Sequence, residues 1–284
     1  MIGKTKKIIK KLEGNFKDLN RIRKYIKAPL RLEIHAADHC NLNCANCSHF
    51  SPISEPSFCN PDKLAESLVV LGKYERLFDR VKILGGEPLL NPQLPEIIEL
   101  TRKNFPHIDI KIATNGILLL NENKVPINFW ETLRKNNVTL MITQYPVNVD
   151  FQEIERKCIE EGIKVSIKDA KIWRKTLLKD THEELSFKSR LLKVKYCLIK
   201  YCIQLYDGRL YPCNYVAYIN KLNNYFGTSF KLDSKDYLEV NKIKSAWQIR
   251  KFMLLATPFC KYCMGHKQPG EWQHSCKDLK EWVQ

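Results

Sequence analysis

Three closely spaced cysteines form the pattern in this sequence that most clearly indicates chemistry. They are Cys40, Cys44 and Cys47, in a Cys-x3-Cys-x2-Cys spacing. Thiolates are the natural ligands of iron–sulfur clusters, and three of them can bind three corners of a four-iron cubane. The fourth iron then stays open, as a metal must if a substrate is to coordinate it. The spacing favours an iron–sulfur site over the alternative, a zinc site completed by His39 or His49.

A second group of cysteines lies in the last third of the chain. Cys197 and Cys213 have fifteen residues between them, and Cys260 and Cys263 form a close pair. The chain has eleven cysteines, so complete pairing into disulfides is impossible. In a reducing compartment such cysteines indicate metal ligation or catalysis. A zinc-ribbon-like site and a redox dithiol at the close pair are alternatives, and Cys202 competes with Cys197.

Short apolar strands alternate with helices between residues 31 and 168. This alternation predicts a parallel sheet, closed or partly closed into a barrel, in which the loops after the strands carry the chemistry. The predicted strands are 31–36, 81–84, 109–113, 138–143 and 164–168. Predicted helices run from an Asn60 cap to about Phe78, from an Asn91 cap to about Asn104, over 127–136, and from an Asp150 cap to Gly162.

Two of these loops together resemble a known superfamily. The cysteine triplet follows the first strand, and Gly85-Gly86-Glu87-Pro88 follows the second. This combination resembles the radical S-adenosylmethionine (SAM) superfamily, whose three cysteines hold a [4Fe-4S] cluster that chelates the amino and carboxylate groups of SAM. The resemblance covers roughly residues 31–265 and implies a partial (β/α)6 TIM-like barrel.

The resemblance also implies which residues contact SAM. Glycines let the backbone approach a ligand closely, and a carboxylate suits an ammonium group. Many members carry an aromatic residue before the third cysteine, but this chain has Asn46 there, and Phe50 is the substitute expected near the adenine. A polar turn is the alternative reading of residues 114–116. The implied cofactor-binding residues are Gly85, Gly86, Glu87, Pro88, Thr114, Asn115 and Thr143.

The later cysteines resemble those of the twitch subdomain, a shortened relative of the SPASM domain. There four cysteines hold an auxiliary [4Fe-4S] cluster, and Cys276 would matter in a fuller SPASM domain. A β-hairpin is predicted over 198–216, turning at Asp207-Gly208. The implied ligands are Cys197, Cys213, Cys260 and Cys263. The predicted domains are a basic amphipathic helix over 1–30, a radical SAM core over 31–195 and an auxiliary β-hairpin/helix subdomain over 196–284.

The resemblance implies a reaction class. SAM is cleaved reductively to methionine and a 5′-deoxyadenosyl radical, which removes a hydrogen atom from the substrate. A four-cysteine auxiliary cluster has no open iron, so electron transfer is its expected role. We therefore predict an oxidoreductase that performs a two-electron oxidation of a sugar-like or cyclitol-like small molecule, with an external electron donor such as flavodoxin or ferredoxin. Modification of a peptide or protein is the alternative.

Charge adds a weaker expectation about partners. The net charge is +16 at pH 7, which indicates an anionic substrate or surface, or simply a solvated basic face. Residues 4–27 predict an amphipathic helix that packs on the main domain, with peripheral membrane contact as the alternative. A zinc-dependent nucleic-acid-binding protein is a remote alternative, because the sequence shows no zinc-finger spacing.

The sequence also excludes several classes. No run of about 18 apolar residues predicts a membrane span, and no apolar signal-peptide core follows the basic N-terminal residues, so the cytoplasm is the expected compartment. The sequence has no Gly-x-Ser-x-Gly elbow and no phosphate-binding P-loop motif, so serine hydrolases of that type and P-loop enzymes are not supported.

Overall fold

The computed structural model describes residues 27–170, 172–173, 177–179, 184–197, 199–264 and 269–284. The helix predicted over residues 4–27 lies outside the described residues, apart from Lys27. The strands are β1 Leu30–Ala37, β2 Phe78–Gly85, β3 Asp109–Thr114, β4 Thr139–Gln144, β5 Val165–Asp169, β6 Ile172–Trp173, β7 Cys202–Tyr206, β8 Arg209–Tyr211, β9 Leu238–Glu239 and β10 Pro269–Gly270. The α-helices are α1 Pro61–Gly72, α2 Leu94–Asn104, α3 Phe129–Lys135, α4 Phe151–Glu160, α5 Phe187–Tyr196, α6 Asn214–Phe226 and α7 Ala246–Leu254.

Eight strands form the main sheet, in the order β5-β4-β3-β2-β1-β7-β8-β9. Six neighbouring strands, β1 to β5 and β7, run parallel, while β8 and β9 are antiparallel additions. The sheet is an unclosed barrel, which confirms the predicted fold class. The sixth parallel strand is β7, which pairs with β1. The parallel part of the sheet therefore has β5 at one end and β7 at the other.

The two faces of β1 explain how the sheet is buried. Leu32 and Ile34 belong to a core cluster that also contains Leu64 and Leu68 of α1. Glu33 alternates with these residues, so its side chain lies on the other face, where Lys82 of β2 binds it at 2.8 Å. The helix-covered face of the sheet is therefore apolar, and the inner face of the barrel carries charged and polar groups.

Two predicted helix boundaries were wrong. The Asn60 side chain does cap α1 by accepting from two backbone N–H groups, but the helix ends at Gly72. Phe78 starts β2 instead and packs its ring 6.0 Å from that of Phe105. Asn91 does not cap α2: its side chain donates to the Ala36 carbonyl and accepts from the Gln93 N–H, both at 2.9 Å, and the helix begins at Leu94.

Other local predictions were confirmed. Asp150 caps α4 by accepting from the backbone of Gln152 and Glu153. The hairpin of β7 and β8 turns at Asp207-Gly208, both with positive φ, as a two-residue hairpin turn requires. The predicted domain boundary at 195/196 stays a prediction, and β7, which follows it, pairs with β1 in the main sheet.

A second core cluster surrounds α6. It contains Tyr215 and Tyr218 of that helix together with Phe50 and Trp282, which are distant in sequence. This cluster joins α6 to the loop after β1. None of the helices in the described ranges is both long and apolar enough to span a membrane.

Candidate active site

A cavity of about 320 Å³ lies at the carboxyl ends of β1 to β4. This is the edge where parallel barrels place their reactive groups. The cavity brings together the three cysteines of the triplet and five of the seven predicted cofactor-binding residues. Its lining includes Cys40, Cys44, Cys47, Gly85, Gly86, Thr114, Asn115 and Thr143, with Lys82, His49, Ser51 and Tyr145 beside them.

The two glycines after β2 let that strand end pack against the cysteine loop. A Cβ atom at Gly86 would lie 2.0 Å from the His39 carbonyl oxygen. One at Gly85, whose φ is +152°, would lie 2.4 Å from the Ala37 carbonyl oxygen. The same close approach lets the Gly86 N–H donate to Ala37 at 2.7 Å. Glycine is therefore required here by the neighbouring backbone, and both residues line the cavity.

Glu87, one of the residues expected to contact SAM, lies behind the cavity lining. Its side chain is fully buried, and one carboxylate oxygen accepts from the Leu89 N–H at 3.0 Å and the Thr114 hydroxyl at 2.7 Å. The other oxygen accepts from the Asn115 N–H at 2.9 Å. Burial raises the pKa of Glu87, while these three donors favour its charged form. Glu87 thus holds the end of β3 in place, and Pro88 also lies outside the cavity lining.

Two of the cysteine sulfurs accept hydrogen bonds, one from within the same loop and one from a distant segment. Cys40 Sγ accepts from the Leu42 N–H at 3.3 Å, and Cys44 Sγ accepts from the Trp272 indole at 3.1 Å. Tyr145 also hydrogen-bonds Cys44. Burial raises the pKa of Cys44 to about 11, and the bonds from the two aromatic residues oppose that rise. These donors favour a thiolate at Cys44, which is the form that ligates metal.

Phe50, the aromatic residue expected near the adenine, lies outside the cavity lining. Phe50 is fully buried, with its ring centroid 5.5 Å from that of Tyr215 and 6.1 Å from that of Trp282. It therefore packs in the second core cluster and does not line the cavity. Tyr145 does line the cavity. It follows β4 directly, a position at a strand end like those of Thr114 and Asn115 at the end of β3.

A buried polar network adjoins the cavity. His35 Nε2 lies 2.7 Å from Asp38, and Lys221 of α6 lies 2.6 Å from the same carboxylate oxygen. Burial lowers the pKa of His35 to about 4, so its imidazole is neutral at pH 7. Burial alone would raise the pKa of Asp38, but His35 and Lys221 outweigh that effect and lower it to about 2. His35 is a packed interior histidine, with its ring centroid 4.3 Å from that of Tyr218.

The donor set of the first cavity fits an iron–sulfur cluster. Across the described ranges, no three Cys, His, Asp or Glu side chains converge as the ligands of one metal ion would. Each cysteine of a cubane binds a different iron, so its ligands surround a larger space than one zinc ion needs. Three thiols around a cavity of about 320 Å³ meet that requirement. The His39 ring packs instead against Phe58, at 5.0 Å between centroids.

A second cavity, of about 310 Å³, gathers the later cysteines. All four predicted auxiliary ligands, Cys197, Cys213, Cys260 and Cys263, line it. Its walls are largely apolar and include residues of α5, α6 and α7. Cys202 lies elsewhere, on β7 opposite Arg31, and Cys276 is exposed outside the lining. The four predicted ligands therefore share one cavity, and neither Cys202 nor Cys276 lines it.

A partial parallel barrel with three loop cysteines at its carboxyl edge defines a class of protein that binds a metal cluster beside an organic cofactor. Residues 34–169 match the Radical SAM superfamily. The chain therefore contains a radical SAM domain, and this family implies a [4Fe-4S] cluster and SAM.

Sequence relatives match only part of this chain. A Methanococcus aeolicus protein named "Probable GTP 3',8-cyclase" is 40% identical over 91 residues, which cover 31% of this chain and 30% of the relative. A 7,8-dihydro-6-hydroxymethylpterin dimethyltransferase of Methanocaldococcus jannaschii is 31% identical over 116 residues, covering 39% of this chain and 21% of the relative. The matched segment thus spans less than a third of either relative.

A solved structure resembles much more of the chain. BtrN in complex with AdoMet and 2-DOIA has a TM-score of 0.51 and 17% sequence identity. The likeness covers 88% of this chain and 98% of BtrN. At this identity it shows the fold alone.

Proposed function

We propose that this chain is a radical SAM enzyme whose first cavity holds the catalytic cluster and SAM. Cys40, Cys44 and Cys47 would ligate the [4Fe-4S] cluster. The observation that carries this proposal is that all three cysteines share one cavity with Gly85, Gly86, Thr114, Asn115 and Thr143. When bound, the cluster and SAM would supply a 5′-deoxyadenosyl radical that can remove hydrogen from a substrate.

The chain's own residues orient the ligand and exclude water. Glu87 fixes Thr114 and Asn115 from behind, which holds this part of the cavity lining in one arrangement. Tyr145 supplies the aromatic surface on which an adenine can pack. Lys82, held by Glu33, supplies a cation in the lining, which supports an anionic group on the substrate.

We further propose a second, auxiliary [4Fe-4S] cluster in a twitch-like subdomain over 196–284. Its support is that Cys197, Cys213, Cys260 and Cys263 line one cavity. Ligation by four cysteines leaves no open iron, which suits electron transfer. A substrate that loses a hydrogen atom and then an electron and a proton is oxidised by two electrons. The proposed reaction is therefore an oxidation of a sugar-like or cyclitol-like small molecule, and the BtrN-like fold, solved for BtrN with 2-DOIA, supports this choice.

Iron and sulfide counting tests both proposals. After anaerobic purification and reconstitution, we expect roughly eight irons and eight sulfides per chain, four for each cubane. Substituting alanine for Cys40, Cys44 and Cys47 should leave roughly four irons and abolish formation of 5′-deoxyadenosine from SAM under dithionite. Cys202→Ala and Cys276→Ala are the matched controls and should keep both the iron and the activity.

Other iron counts would show which of the two proposed cluster sites is wrong. Roughly four irons in the unsubstituted chain, all lost in the triplet variant, would remove the auxiliary cluster and the oxidation that depends on it. Zinc in place of iron at both sites would overturn the radical SAM proposal. Product analysis then separates oxidation of a small molecule from peptide modification, cyclisation and methyl transfer.

The reducing cytoplasm is the proposed compartment, because it keeps eleven cysteines available for ligation. An external carrier such as flavodoxin or ferredoxin is the proposed electron donor.

A further inference from the structure

A distant segment of the chain pairs with the cysteine loop. The Ala45 N–H donates to the Gln273 carbonyl at 2.9 Å, and the Ser275 N–H donates to the Asn43 carbonyl at 2.9 Å. The Asn43 side-chain amide donates to the Ser275 carbonyl at 2.9 Å. Cys44 and His274 form an antiparallel bridge between these bonds. Residues 43–45 are thus held as one side of a short two-stranded ladder.

This pairing brings the Trp272 side chain within hydrogen-bonding distance of a cysteine sulfur. The indole Nε1–H donates to Cys44 Sγ at 3.1 Å, across 228 residues of sequence. The ring is half-buried, and its centroid lies 4.6 Å from that of His274 and 6.1 Å from that of Tyr145. Two aromatic neighbours and the paired backbone therefore fix the direction of the N–H group.

We propose that Trp272 sets the reduction potential of the first cluster by donating this hydrogen bond to Cys44. The inference rests on the proposed function, in which Cys44 is a cluster ligand. Reduction adds negative charge to a cluster, and some of that charge resides on the cysteine sulfurs. A donated N–H stabilises the reduced state more than the oxidised state, so it raises the reduction potential. Trp272 is a positioning and tuning residue in this proposal and does not itself ligate iron.

The test compares midpoint potentials. In Trp272→Phe the ring stays aromatic and loses its donor. We expect the one-electron midpoint potential of the first cluster to become more negative. The measurement is an EPR-monitored redox titration, in which the first cluster is identified by the signal that changes when SAM is added. A tenfold loss in the equilibrium constant for reduction corresponds to about 59 mV. Trp247→Phe, at a tryptophan of α7 that is 53% exposed, is the matched control and should leave the potential unchanged.

A second variant separates the hydrogen bond from packing. Replacing Trp272 with 3-benzothienylalanine keeps the ring shape and exchanges only the N–H for sulfur, so it should produce the same negative shift with an unchanged iron count. A potential equal to that of the unsubstituted chain in this variant would overturn the role of Trp272 and leave the proposed function standing. Absence of iron from the unsubstituted chain would instead overturn the proposed function.

Discussion

At the scale of single residues, the buried carboxylate of Glu87 connects two strand ends. It accepts one hydrogen bond from its own loop, at Leu89, and two from the end of β3, at Thr114 and Asn115. A charged acceptor with three donors in a dry interior is a strong and directional anchor. The side chain thus acts on the cavity through the residues it holds, whatever ligand the neighbouring glycines contact.

Glu87→Gln tests this anchor. The glutamine amide would turn an N–H group toward the Asn115 N–H, which leaves two donors facing each other without an acceptor. We expect the free energy of unfolding to fall by about 1–3 kcal/mol, measured by denaturant titration, and SAM binding to weaken in equilibrium dialysis. Glu66→Gln changes an exposed residue of α1 and should shift stability by less than about 0.5 kcal/mol. Equal stability and SAM affinity in the two variants would contradict the anchoring role.

The sequence predicted which residues line the cavity only where those residues lie at the end of a strand. Thr114, Asn115 and Thr143 stand at such positions, and all three line the cavity. Trp272 offered no comparable signal, because its contact with Cys44 depends on how two segments meet across 228 residues. Phe50 was misjudged for the same reason, since its partner Trp282 is equally remote.

At the scale of elements, the junction between β2 and the cysteine loop decides the shape of the first cavity. The backbone after β2 passes so close to His39 that a single methyl group at Gly86 would overlap its carbonyl oxygen. The loop can relieve that overlap only by moving away, and its three cysteines would move with it.

Gly86→Ala should therefore remove the first cluster and spare the second. We expect the iron content after reconstitution to fall from roughly eight to roughly four per chain, with loss of SAM cleavage. Gly208→Ala is the matched control, because a Cβ atom there meets no atom within 4 Å. The control costs only about 1–2 kcal/mol of backbone strain at its positive φ and should keep all the iron. A full iron count in Gly86→Ala would contradict the close-approach argument.

The elements themselves were largely predictable because apolar periodicity and capping residues are local signals. Asp150 and Asp207-Gly208 mark a helix start and a hairpin turn in their own neighbourhoods. The Asn91 cap failed because its side chain bonds the Ala36 carbonyl of β1 and the Gln93 N–H, and α2 begins later than expected, at Leu94. Tertiary contacts thus overrode local preference at that point.

At the scale of the whole molecule, the chain carries a net charge of +16, which favours an acidic protein as the proposed electron donor. Opposite charge speeds encounter through long-range attraction, which salt screens over about 10 Å at 0.1 M. The basic balance thus predicts steering of an acidic carrier to this chain.

Stopped-flow reduction measures this steering. We expect the second-order rate constant with reduced flavodoxin to fall about tenfold or more as KCl rises from roughly 0.05 to 0.5 M. Reduction by a photoexcited neutral deazaflavin is the control and should change little with salt. A salt-independent rate with flavodoxin would show that the charge is solvated surface without a role in this encounter.

The pairing of residues 43–45 with residues 273–275 has a consequence for biosynthesis. A ribosome adds roughly 5–20 residues per second, so about 10–50 seconds separate the synthesis of Cys44 from that of Trp272. Throughout that interval the nascent loop exists without its backbone partner and without the indole. The loop therefore reaches its final, paired form only after residue 275 has been synthesised.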